Sequence, residues 1–103
     1  MATAAVLFHR LAASEYRAAV AWYRKRSPNA AQRLRGEMRR VTDRIAAAPN
    51  QGTPFQGPFY WIRTRRFPYV VYYEVRDPTL VVIFALAHGR RRLGYWLRRT
   101  RKS

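Results

Sequence analysis

Residues 80 to 88, Leu80-Val-Val-Ile-Phe-Ala-Leu-Ala-His88, constrain this chain more than any other stretch. Eight apolar residues in succession, bounded by Asp77-Pro78 and by Gly89, fit a strand covered on both faces. A buried helix of the same composition is the alternative, but Val81, Val82, Ile83 and Phe84 favour the strand, because β-branched and aromatic side chains suit a pleated surface. The apolar run then gives way at once to Arg90, Arg91 and Arg92, followed by Tyr95 and Trp96. A rigid strand that delivers charge to its own end is where function is expected.

Upstream, residues 4 to 10 alternate loosely and predict a short first strand. From Ala12 to Arg26 the period becomes helical, with Tyr16, Ala19, Val20 and Tyr23 on one stripe. Ser27-Pro28 restarts the helix, since serine caps and proline suits the first helical position. The second helix runs to about Ala48 on a seam of Ala31, Leu34, Met38, Val41, Ile45 and Ala48, and Pro49 ends it. A Gly- and Pro-rich loop from Asn50 to Pro58 leads to a strand over Tyr60–Arg66. Tyr60, Ile62 and Thr64 fall on one face of it, and Trp61, Arg63 and Arg65 on the other. Phe67-Pro68 breaks the ladder, Tyr69–Arg76 forms the next strand, and Leu80–His88 the last. The order β-α-α-β-β-β predicts an α+β fold: an antiparallel meander sheet with a helical hairpin on one face. The direction in which the first strand pairs is left open by periodicity. Residues 1–103 are expected to form one domain, with 97–103 as a short basic C-terminal segment, helical at first.

Charge narrows the function classes. Nineteen arginines and two lysines oppose five acids, for a formal net charge of +16. Such a field attracts a polyanion or an acidic protein, and the preference for arginine suits planar, bidentate recognition of phosphate or carboxylate. The absence of cysteine excludes disulfides and thiolate metal sites, and suits the cytoplasm without fixing it. No signal peptide is expected, because Met1–Phe8 lacks a basic start and His9-Arg10 follows directly. No apolar run is long enough for a membrane span. With only His9 and His88 and scattered acids, no metal site is expected, and no phosphate loop or nucleophile elbow is present. No cofactor is expected.

What remains is basic and aromatic. In a meander, the second and fourth strands run the same way, so Arg63, Arg65 and Arg66 would share a sheet edge with His88, Arg90, Arg91 and Arg92. These form a candidate polyanion-binding rim; alternatively they merely cover the sheet. Tyr95 and Trp96 either stack on bases or pin the C-terminal segment to the core. His88 is either a general base or a structural histidine held by nearby backbone.

Several of these residues carry a likeness. Phe67-Pro68-Tyr69-x-x-Tyr72-Tyr73-x-Val75, then Leu86-Ala87-His88-x-Arg90-Arg91 and Tyr95-Trp96-x-x-Arg99, resemble the RelE/ParE toxin superfamily, its ParE-like branch in particular. Ala21-Trp22-Tyr23, Ser27-Pro28 and Ile45-x-x-x-Pro49 extend the resemblance from about Val6 to Arg99. It implies the toxin of a bacterial type II toxin–antitoxin module, neutralised by a cognate antitoxin with an acidic or partly disordered segment. It also implies one of two targets. ParE-like members poison DNA gyrase, whereas RelE-like members cut messenger RNA on the ribosome. A nuclease of the second kind would rest on Arg65, His88, Arg90 and Tyr95, because an arginine alone cannot accept the proton of an attacking hydroxyl. RelE-like sites use lysines and arginines on the middle strands plus a late arginine and tyrosine, and the two lysines here, Lys25 and Lys102, lie elsewhere. The gyrase reading is therefore preferred over the nuclease, and both over a nontoxic basic module that binds nucleic acid directly.

Overall fold

The computed structural model describes residues 3–91 and 94–101. The elements are β1 (Ala5–Phe8), α1 (Arg10–Arg26), α2 (Pro28–Ala47), β2 (Thr53–Pro54), β3 (Phe59–Arg63), β4 (Tyr69–Asp77) and β5 (Leu80–His88), with 3-10 turns at Pro49–Gln51 and Tyr95–Arg101. The sheet order is β1-β5-β4-β3-β2. Strands β2 to β5 pair antiparallel, and β1 pairs with β5 in parallel, Ala5 beside Leu80 through Phe8 beside Ile83. The fold is thus α+β, two helices against a five-stranded mixed sheet. The parallel pairing supplies the direction that periodicity left open.

Local chemistry sets the helix boundaries. The His9 ring accepts from the Leu11 N–H through Nδ1 at 3.1 Å, which starts α1 two residues earlier than its apolar stripe suggests. Ser27 ends α1 in an extended conformation and caps α2, its Oγ accepting from the Ala30 N–H at 3.2 Å. The predicted seam of α2 is the buried one: Ala31, Leu34, Met38, Val41 and Ile45 pack with Ala12, Ala19 and Val20 of α1 on one sheet face. Each large side chain so buried contributes about 1.5–3 kcal/mol.

The opposite face is covered too, which the expected single-faced hairpin does not include. Val70, Tyr72, Val82, Phe84, Ala85 and Ala87 lie there under Trp96, with Phe55, Phe59 and Trp61 around it. Strand β5 is accordingly buried on both sides, as its composition demands. It also carries one extra residue. Tyr72 pairs with Ala85 but Tyr73 with Ile83, so Phe84 is a bulge. The extra residue reverses the alternation: Val81 and Ile83 face the helices before it, and Leu86 faces them after it.

Tyr73 ties the far edge together. Its hydroxyl donates to the Pro49 carbonyl at 2.8 Å and accepts from the Gly52 N–H at 3.1 Å. A side chain on Gly52 would collide with that phenol and with the Trp61 carbonyl, so the backbone approach requires glycine. Among the described residues, no helix is long and apolar enough to cross a membrane.

Candidate functional site

The expected rim exists as a geometric feature. Arg63 pairs with Val70 and Val70 with Ala87, while Tyr69 pairs with His88, so the ends of β3 and β5 and the start of β4 share one sheet edge. The two turns there are joined: the Gly89 N–H donates to the Pro68 carbonyl at 2.7 Å. Arg63, Arg65, Arg66, His88, Arg90 and Arg91 are all exposed on or beside this edge. Arg92 lies outside the described residues.

The arginines do not act as one row, however. Strand β3 stops at Arg63, short of the Arg66 that alternation predicts. The Thr64 hydroxyl, buried at 5 % exposure, donates toward the Phe67 and Tyr69 carbonyls and closes a turn that takes Arg65 and Arg66 out of the ladder. Arg66 sits there at φ 67°, the left-handed region.

The rim consequently opens onto three recesses. Arg63 lines one of about 410 Å³ with Phe55, Trp61, Tyr72, His88 and Arg91. His88 and Arg91 also line another of about 490 Å³, on the helix side, with Trp22, Tyr23, Tyr69 and Leu86. Arg65 and Arg66 line a third of about 600 Å³ with Arg33, Glu37, Tyr23 and Phe67. His88 divides the first two, at the end of the buried strand.

The hydrogen bonds of the candidate groups limit their chemistry. The backbone N–H of Arg90 can only donate, and it donates to His88 Nδ1 at 3.2 Å. A neutral imidazole holding that bond presents an N–H, not a lone pair, at its outer nitrogen. The Tyr95 hydroxyl donates to Glu15 at 2.7 Å, and burial first, then that bond, push the phenol well above its ordinary pKa. Arg91 stacks on the Tyr95 ring, its guanidinium carbon 3.9 Å from the centroid. Trp96 must be corrected as a surface contact. It is 0 % exposed, with the rings of Tyr72, Phe59 and Phe55 at 5.0, 5.1 and 5.7 Å, so it pins the C-terminal segment and offers no face to a ligand.

The residue that organises this end, Glu15, is not among those the sequence motifs single out. Strand β1 covers β5 only as far as Ile83, which leaves the edge of β5 open beyond it. Two side chains take the place of the missing strand. Glu15 accepts from the Leu86 N–H at 3.1 Å, and Arg99 donates to the Phe84 carbonyl at 2.7 Å. Arg99 also grips both oxygens of Glu15, at 2.9 Å each. One carboxylate therefore holds α1, β5, Tyr95 and Arg99 together. The sequence does carry a signal: Glu15 stands three residues after Ala12 and four before Ala19, which are both buried, so an acid interrupts the apolar stripe of α1. A second acid, Glu37, takes Arg40 at 2.9 and 2.6 Å and the Arg65 N–H at 2.6 Å. The Arg40 hydrogen bonds, ahead of the bond from Arg65, hold its carboxyl below the ordinary range.

The order of two helices and a meander, the aromatic second face and the arginines at one sheet edge coincide with a family match. The chain fits the model described as "ParE toxin of type II toxin-antitoxin system, parDE" over residues 6–93. No curated protein matches it. The match spans most of the chain, so the protein belongs to the ParE family, the toxins of type II toxin–antitoxin systems, and membership implies a cognate antitoxin.

Proposed function

We propose that this toxin arrests bacterial growth in the cytoplasm by poisoning DNA gyrase, with the basic rim as the surface that meets the gyrase–DNA complex. An acidic, partly disordered segment of the antitoxin neutralises it by covering that charge. The observation that carries this reading is the engagement of His88 and Tyr95, the two groups expected to move a proton in a nuclease of this kind. A nuclease that activates a 2′-hydroxyl needs an acceptor, and here the His88 lone pair at Nδ1 is taken by the Arg90 N–H. The Tyr95 hydroxyl is committed to Glu15. Arg63, Arg65, Arg90 and Arg91 offer donors only, since a guanidinium has no acceptor for a proton. What the rim offers is fixed positive charge, which suits holding a DNA–protein complex rather than cutting a strand.

Expression of the chain without its antitoxin is expected to break the chromosome and induce a DNA-damage response. Purified toxin added to gyrase and ATP is expected to accumulate linear plasmid. Codon-phased cuts in translated messages, with intact chromosomes, would transfer the assignment to a ribosome-dependent nuclease. Unimpaired growth would leave only a basic nucleic-acid-binding module.

A further inference from the structure

The cleft between the first half of α2 and the turn joining β3 to β4 is distinct from the recesses beside His88. We propose that it is a DNA-phosphate site, in which Arg33, Arg65 and Arg66 take backbone phosphates of a duplex. The inference deepens the gyrase reading and rests on it for the identity of the polyanion.

Three observations support it. First, all three guanidinium groups are exposed around one recess of about 600 Å³, contributed by a helix and a turn far apart in sequence. Second, the acid within the recess does not neutralise them by pairing. Both Glu37 oxygens are occupied by Arg40 and by the backbone N–H of Arg65. Among the described residues, no ion pair involves Arg33, Arg65 or Arg66. Third, Arg66 holds a left-handed backbone at φ 67°. Glycine or asparagine occupies that conformation at lower cost, so the backbone does not itself call for arginine there. Strain retained beneath an exposed charge points outward, to a ligand.

The surroundings favour a polymer of phosphates. Tyr23 and Phe67 meet edge to face at 5.3 Å and form an apolar floor on which a sugar or base edge can rest. The Pro68 carbonyl accepts from the Gly89 N–H, which joins this turn to the one that carries Arg90 and Arg91. A duplex backbone presents phosphates at regular intervals along such a track, and arginine reads each of them through paired N–H donors.

The test is binding of the full chain to a short duplex, followed by fluorescence anisotropy across a salt series. The double variant Arg33→Gln/Arg65→Gln is expected to weaken binding by about tenfold or more, and to flatten the slope of log affinity against log salt by about 0.9 for each phosphate no longer neutralised. Arg66→Gly, which keeps the turn and relaxes it, is expected to move in the same direction. Arg17→Gln, which lines a different recess, measures the loss due to net charge alone. Cleft variants that lose no more than Arg17→Gln would overturn the proposal. So would variants that release a polyglutamate peptide while keeping duplex DNA, which would make the cleft a reader of protein carboxylates. Gyrase cleavage scored in parallel separates the two readings. Cleft-dependent duplex binding without gyrase-dependent breaks leaves the site standing and removes gyrase as the target. Breaks produced by a toxin whose cleft variants bind DNA like the wild type do the reverse.

Discussion

The two faces of the sheet are built by different means. On the helix face, burial is distributed: a capped hairpin lays a periodic seam of small and medium side chains over β4 and β5. On the other face, an aromatic cluster gathers around one indole, Trp96, whose segment is secured through the single carboxylate of Glu15. Among the described residues the buried Trp96 Nε1 finds no hydrogen-bond partner, and no buried side-chain polar atom described on the helix face shares that cost. The first face will tolerate single errors gradually. The second depends on two residues, and the arginine rim lies between the faces.

The largest expected effect tests that concentration. Trp96→Ala should cost about 4 kcal/mol, at least as much as Leu34→Ala on the helix face at about 3 kcal/mol, as read by urea unfolding. A Trp96→Ala protein that unfolds with the wild type would make the second face a loose cover rather than a core. Glu15→Gln follows, at about 2 kcal/mol, because it keeps the shape and removes the charge on which Arg99 and Tyr95 converge. Trypsin should then cut at Arg98 and Arg99 sooner; unchanged digestion would show that Trp96 suffices to hold the segment. Arg66→Gly should raise stability by about 0.5–1 kcal/mol by relieving the left-handed turn between the faces. A lower melting temperature would mean that the Arg66 side chain braces the rim.

The smallest effect concerns His9, which caps α1 and lies 5.6 Å from the Phe84 ring on the second face. Burial, then the charges of Arg99 and Arg10, lower its pKa below 6.5, against a weaker pull from Glu15. The neutral ring is thus favoured in the folded state. Its contribution is complete above pH 6.5 and is lost as pH falls below that value, because the unfolded chain binds the proton first. Melting temperature should decline on acidification through that value and decline less in His9→Asn, whose side chain caps without titrating. Equal slopes would place the titration elsewhere.

The distributed face is legible in the sequence and the concentrated one largely is not. A seam such as Ala31–Leu34–Met38–Val41–Ile45 is local, so its period predicts its partner surface. The eight apolar residues before His88 likewise announce burial on both sides. The hydrogen bonds of Glu15 join positions more than seventy residues apart, and no spacing rule reaches that far. The bulge at Phe84 is similarly silent, since one unpaired residue exchanges the faces of everything after it. Arg65 and Arg66 reach the expected edge on a turn rather than a strand: Thr64 curls the chain before them, and alternation cannot anticipate a side chain that bonds its own backbone.

The parallel pairing of β1 with β5 has a consequence in time. Ala5 finds its partner only at Leu80, and the sheet is joined through a strand whose last pairing residue is His88. A nascent chain that has not yet released β5 holds a helical hairpin and a β3–β4 pair with nothing between β1 and β4. Loop closure of that length must precede the contacts that reward it, so folding is delayed until β5 has left the ribosome. The sheet edge that carries the arginine rim is therefore the last part of the fold to be completed, because it needs the strand that arrives last.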